Sequence, residues 1–131
     1  MMLSPTDETI AALTVFGEAR GEDDLGRRAV AHVLLNRGRV RKHSLLQVCL
    51  QAAQFSCWNV GDPNRAQILR AREEHPHIYD ECLSAFAVAT GEDDFTEGAT
   101  HYCTIESSPF WAVGKTPCFT HGNHKFFNNI D

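Results

Sequence analysis

The sequence predicts a mainly α domain carrying a small antiparallel β hairpin or sheet, and three observations predict it. Through the first two thirds of the chain, apolar residues recur at helical spacing between N-caps and glycine stops. From Thr100 onward the pattern changes to alternation, as in Thr100-His101-Tyr102-Cys103-Thr104-Ile105. Between two short strand candidates, 117–120 and 125–127, lies His121-Gly122-Asn123-His124, whose Gly-Asn pair suits a tight hairpin.

Ser4-Pro5-Thr6-Asp7 offers an N-cap, a proline at the first helical position and an acid in the first turn, so a first helix is predicted over 5–20, stopping at Gly21. A second is predicted over 24–39. Leu25, Ala29 and Val33 form one apolar line there, and Arg28, His32 and Asn36 a polar one. Ser44 can cap a short helix over 45–51. One helix is predicted over 63–74, ended by His75-Pro76-His77. Pro76 opens another that reaches Thr90, with Ile78, Cys82, Ala85, Phe86 and Ala89 as its buried stripe and Gly91 as its stop. Glu92, Asp93 and Asp94 are expected to form a solvated acidic turn, since no spaced set of oxygen ligands follows them.

At 131 residues the chain is expected to be a single domain, 1–131, with enough apolar residues for a core. Twelve basic against seventeen acidic residues leave a net charge of -5, which disfavours a nucleic-acid or anionic-membrane partner. No apolar run approaches the roughly 20 residues of a membrane span, and the N-terminus lacks the pattern of a secretory signal, so synthesis in the cytoplasm is expected. The five cysteines are odd in number and contain no C-x-x-C pair; most are expected to be reduced, and Cys103 and Cys118 lie in strand-like runs that can approach one another.

The leading catalytic candidate is Glu18, within Phe16-Gly17-Glu18-Ala19-Arg20-Gly21-Glu22. Ile10, Leu13, Thr14, Gly17 and Glu18 fall on one helical stripe, which puts a carboxyl in line with core residues. Desolvation there favours the neutral form, as general-acid chemistry requires, and Gly17 beside it leaves room for a ligand. A structural ion pair with Arg20 or Arg28 fits the heptapeptide equally. Gln54-Phe55-Ser56-Cys57-Trp58-Asn59 mixes amides, a hydroxyl and aromatic rings, the chemistry that stacks on and hydrogen-bonds to sugars, so Gln54, Trp58 and Asn59 are candidates for a saccharide cleft. An ordinary loop with its rings in the core is the alternative. His101, Cys103, Cys118, His121 and His124 lie close in sequence, but their spacing matches no recognised zinc motif, and no metal or cofactor is expected.

Six stretches, in order, resemble one family, the spore-cortex-lytic and cell-wall hydrolases of the SleB and CwlJ type, which also occur among phage lysins. They are FGEARGE at 16–22, VAHVLLNR at 30–37, QFSCWN at 54–59, ATHYC at 99–103, PFWA at 109–112 and GNHKFF at 122–127. The resemblance implies a lysozyme-like α+β domain that cuts peptidoglycan glycan strands, with Glu18 at the position of the catalytic glutamate. It further implies lytic transglycosylase chemistry between N-acetylmuramic acid and N-acetylglucosamine, with a 1,6-anhydro product and one carboxyl acting as acid and then base. Around that acid, Gln54 and Tyr102 can orient the N-acetyl group or the attacking hydroxyl. Asn36 can fix the Glu18 side chain, although capping or interhelix bonding is the stronger expectation for it, and Trp58, Trp111 and His124 can line subsites or equally belong to core or hairpin structure. A water-using muramidase would need a second acid, which Glu22, Asp23 or Asp24 can supply if the turn after Gly21 folds back, although helix-end geometry places Glu22 off the Glu18 stripe and makes it a poorer partner.

The expected partner is therefore the glycan strand, bound by a monomer without membrane insertion. A phage-type endolysin, reaching the wall after release or export by another route, fits the missing signal sequence. A zinc-dependent amidase or endopeptidase, and a non-catalytic wall-binding module, remain the alternatives from other classes.

Overall fold

A computed structural model describes residues 3–50 and 55–130. Among them the helices run α1 Pro5–Ala19, α2 Asp24–Arg41, α3 Leu45–Leu50, α4 Pro63–Leu69, α5 Ala71–Glu74 and α6 Pro76–Gly91. The strands are β1 His101–Thr104, β2 Phe119–His121 and β3 His124–Phe127, and single 3-10 turns occupy Ser56–Trp58 and Phe110–Ala112. The architecture is thus mainly α with a small antiparallel sheet, as the residue pattern predicts.

Helix α1 begins on a reciprocal cap. Asp7 N–H donates to Ser4 Oγ at 3.1 Å, and Ser4 N–H donates back to the Asp7 carboxylate at 3.3 Å. The helix then runs through the middle of the helical layer, touching α2, α3, α4 and α6. Because neighbours cover several of its sides, Ala11, Ala12, Val15 and Phe16 are all fully buried. The stripe through Ile10, Leu13 and Glu18 is its less covered edge, so Glu18 is half-buried where core packing gives out.

Gly17 leaves no space for a ligand, contrary to the expectation from sequence. A Cβ there would stand 2.4 Å from Ile68 Cδ1 of α4 and 3.0 Å from Cys57 Cβ. Its missing side chain lets α4 and the 56–58 turn close on α1. Ile68 is fully buried and has nowhere to retreat. Gly17→Val is therefore expected to cost about 2 to 3 kcal/mol through overpacking, read as a lower midpoint in chemical denaturation.

Helix α2 is capped by Asp23, which accepts from Gly26 N–H at 2.8 Å, and ends two residues later than predicted, at Lys42 in the left-handed region (φ 56°). The single helix predicted over 63–74 is broken at Arg70 (φ -110°, ψ 4°), where Arg70 N–H bonds the Gln67 carbonyl at 3.2 Å and tightens the last turn of α4. On α6 the buried stripe is Tyr79, Cys82, Ala85, Phe86 and Ala89, with Ile78 only half-buried.

Of the acidic turn after α6, Asp93 is exposed as expected, but Glu92 and Asp94 are not simply solvated. Glu92 accepts from Arg28 at 2.6 Å and contacts His32 Nε2 at 3.0 Å. Asp94 accepts from Asn36 Nδ2 (2.8 Å), Thr96 N–H (2.8 Å), Thr96 Oγ1 (2.6 Å) and Gly98 N–H (2.9 Å). The polar line of α2 and these two acids satisfy each other and fasten the segment that leads into β1.

The sheet has the order β1-β3-β2, both pairings antiparallel. Gly122 takes the positive φ (56°) that the first position of its two-residue hairpin requires. Tyr102 and Phe119 both pair with Phe126 and share one face, where Tyr102 lies 5.3 Å from the His124 ring and 5.6 Å from that of Phe126. His101 and Phe127 occupy the other face under Trp111. Cys103 pairs with Lys125 on one side of β3, and Cys118 N–H bonds Phe126 on the other. That places them two strands, about 10 Å, apart, too far for a disulfide, and all five cysteines are free.

Candidate active site

Glu18 stands in the last turn of α1, and the Tyr102 hydroxyl donates a hydrogen bond to its Oε1. Burial, reinforced by the Glu18 carboxylate, pushes the Tyr102 phenol well above its ordinary range, so at neutral pH it is a neutral donor. Cys57 is a second neighbour of Glu18. Burial, and then the Glu18 charge, push its thiol far up, so it too stays protonated. The nearby cation is Arg37 of α2, whose Nε–H donates to the Thr100 carbonyl at 2.5 Å and whose guanidinium lies 4.7 Å from the Phe55 ring centre. Burial lowers Arg37 from the usual 12.5 to about 10, against the pull of Tyr102 and Glu18, and it remains charged.

The wall around the acid is tied to α1 itself. Trp58 Nε1–H donates to Thr14 Oγ1 at 2.8 Å, and Thr14 donates onward to the Ile10 carbonyl at 2.7 Å. Arg20 closes the helix end. Its guanidinium reaches the Phe16 and Gly17 carbonyls at 3.5 and 3.3 Å and holds Asn64 of α4 at 2.7 Å. The turn from α1 to α2 meets the hairpin, where Glu22 accepts from Asn123 N–H, Asn123 Nδ2 and His124 Nδ1, each at 3.2 Å. Asp23 contacts His121 Nε2 at 2.8 and 2.9 Å. The Gly26 N–H, then His121, hold the Asp23 carboxyl below its usual range. Beside this turn lies an open depression of about 700 Å³, bounded by Glu22, Asp23, Asp24 and Arg27 and, on α6, by His77, Asp80, Glu81 and Ser84.

A catalytic-type carboxyl gripped by a phenol at a helix end is compatible with several enzyme classes, and comparison with known proteins narrows them. The sequence model of the family described as cell wall hydrolase matches residues 21–127. The chain belongs to that family. The catalytic domain of the Bacillus cereus SleB protein superposes on this cell wall hydrolase with a TM-score of 0.77 at 26% identity, covering 95% of this chain and 91% of that one. The catalytic domain of the germination-specific lytic transglycosylase SleB from Bacillus anthracis gives 0.76 at 26% identity, with 95% of each chain covered. No curated protein matches.

Of the site residues predicted for this cell wall hydrolase, the structure brings Glu18, Tyr102, His124 and Glu22 together. Trp58 is half-buried one turn before Glu18 along α1, with its indole N–H spent on Thr14. Asn59 is exposed in the turn that precedes α4. Trp111 covers His101 and Phe127, on the sheet face opposite Tyr102. Asn36 is buried, with its amide donors on Asp94 and the Ala99 carbonyl and its oxygen taken by Arg39, so it fastens the 94–99 segment and not Glu18. Gln54 lies outside the described residues.

Sequence reasoning passed over Cys57, Thr14 and Arg37. Arg37 carried the clearest signal, as a base three and four residues after the apolar Leu34 and Val33 and so on their side of the helix. His101 and Cys103 are on β1, while His121 and His124 are taken up by Asp23 and Glu22; among the described residues no three His, Cys, Asp or Glu converge to hold a metal ion.

Proposed function

We propose that this chain is a lytic transglycosylase of the kind a phage-type endolysin uses, cutting the glycan strand of peptidoglycan between N-acetylmuramic acid and N-acetylglucosamine. Glu18 gives its proton to the glycosidic oxygen as the bond to the muramoyl C1 breaks. The resulting carboxylate takes the proton of the muramoyl 6-hydroxyl, whose oxygen bonds to C1 and closes the 1,6-anhydro ring. No water is consumed, and Glu18 ends protonated as it began. Tyr102, a neutral donor to Oε1, fixes the carboxyl rotation through both proton transfers without competing for the proton. Arg37 stabilises negative charge at Glu18 in the second half of the cycle.

The observation that carries this reading is the engagement of Glu22. Hydrolysis by two carboxylates needs a second acid free to activate water, and Glu22 already accepts three hydrogen bonds from the hairpin turn. Asp23 is likewise taken by the Gly26 N–H and His121, and Asp24 by Arg28, which favours one-acid chemistry at Glu18 with the nucleophile supplied by the substrate. The likeness to a domain described as a lytic transglycosylase supports the same choice.

The bond class is tested on insoluble peptidoglycan, with and without a chelator, by assaying the ends released. New glycan ends without new amino groups, unaffected by chelation, are expected. New amino groups that vanish with chelation would point to the amidase alternative, and binding without release to a silent module. Tyr102→Phe is expected to lower kcat about 10- to 100-fold while KM stays within about two-fold, because it removes orientation of the acid and no substrate contact. Steady-state kinetics on soluble glycan-strand fragments checks it.

A further inference from the structure

We infer that Glu22 is a positioning residue for the acid, acting through the β2–β3 turn, His124 and the Tyr102 phenol. The inference rests on the reading of Glu18 as the acid. Tyr102 can hold Glu18 only if β1 is fixed relative to the end of α1, and β1 is reached through β3, which pairs Tyr102 with Phe126 and Thr104 with His124. The β2–β3 turn meets the chain directly after α1, and Glu22 takes hold of it there.

Three features make this contact more than a surface ion pair. Glu22 and His124 have side chains only 10% and 12% exposed, so both are largely withdrawn from water at their point of contact. The carboxylate is filled from one turn, by a backbone N–H, an amide and a ring nitrogen of two consecutive residues. Gly122 lets the turn come that close, since a Cβ there would stand 2.8 Å from Glu22 Oε1. Asp23 repeats the grip one residue on, through His121 at 2.8 Å. Two consecutive acids thus clasp the two histidines that flank the turn.

The clasp reaches the reacting centre through ring packing. With Nδ1 directed at Glu22, the His124 imidazole stands edge-on to the Tyr102 ring, 5.3 Å between centres at 89°. Phe126 flanks the same tyrosine at 5.6 Å. Tyr102 is therefore held by His124 on one contact and Phe126 on another, with its hydroxyl delivered to Glu18. Loss of the Glu22 carboxylate releases His124, and the phenol loses a wall that sets its direction.

The chain has two tyrosines, Tyr102 and the buried Tyr79 of α6, so carbon-13 tyrosine labelling gives one reporter and one internal control. In Glu22→Ala the Tyr102 ring resonances are expected to shift and broaden while those of Tyr79 stay in place. The kcat on soluble glycan fragments should fall about 10- to 100-fold with KM within about two-fold. Glu22→Gln, which keeps an acceptor for the Asn123 N–H, is expected to give a smaller change in the same direction, and it decides the matter if the alanine variant does not fold. Unmoved Tyr102 resonances, an unchanged kcat, or a loss confined to KM would each overturn the inference. The resonances are read in the resting protein, so they judge the clasp even if Glu18→Gln proves active and the reading of Glu18 falls.

Discussion

Glu18→Gln is expected to lower turnover by about 10²- to 10⁴-fold, with the unfolding midpoint and the affinity for glycan fragments almost unchanged. Glutamine keeps an oxygen for the Tyr102 hydroxyl and fills the same volume between β1 and the 56–58 turn, so the site stays assembled. What it lacks is a proton to give and a charge to take one back. Release of soluble fragments from peptidoglycan, timed for the two proteins side by side, checks the rate, and denaturation of both checks the fold. A glutamine variant that solubilises the wall at the parental rate would remove Glu18 from the chemistry.

Asp94→Ala is expected to be the most damaging single change to stability away from the site, at about 2 to 4 kcal/mol, or roughly 10 °C in the thermal midpoint. Asp94 accepts four hydrogen bonds and lies 3.6 Å from the buried His32, so its removal strands the Asn36 amide and the N–H groups of Thr96 and Gly98 at once. Burial alone would raise the Asp94 carboxyl, but bonds from Thr96, Asn36 and the Gly98 N–H outweigh it and hold the carboxyl below its usual 3.8. Its contribution is therefore complete above about pH 4 to 5 and is lost as the pH falls through the lower native value.

His101 acts in the same direction at higher pH. Burial, then the charges of Arg37 and Arg41, depress it from 6.5 to about 4. The unfolded chain takes up that proton near 6.5 while the native chain refuses it until about 4, so stability declines across that window as acid is added. Chemical denaturation at pH 7, 5 and 3 should show a stepwise loss, and His101→Gln should flatten the step between 6.5 and 4.

Much of the fold was legible because its signals are local. The Ser4 and Asp7 cap, Pro76 at the start of α6 and the Gly122-Asn123 turn each act within four residues, and each element starts or turns where they direct it. Glu18 was legible for the same reason, as an acid where an apolar run gives out. What stayed hidden was decided by partners far along the chain. Glu92 and Asp94 look solvated because their partners, Arg28, His32 and Asn36, lie some sixty residues earlier on α2. Gly17 looks like room for a ligand until Ile68 arrives from α4. The pairing of β1 with β3, which separates Cys103 from Cys118 and brings Tyr102 to Glu18, depends on sheet order, and strand alternation carries no information about order. Glu22 looked a poor companion for Glu18 from helix geometry, and its tie to the hairpin turn, about a hundred residues away, has no local trace.

The most direct measurement is digestion of peptidoglycan in oxygen-18 water, followed by mass spectrometry of the soluble muropeptides. The account predicts fragments lighter by one water than their hydrolytic counterparts and free of oxygen-18 at the muramoyl C1, since the 6-hydroxyl is the nucleophile. Reducing muramoyl ends that carry one oxygen-18 would contradict it and place water, and a second catalytic group, at the centre of the reaction.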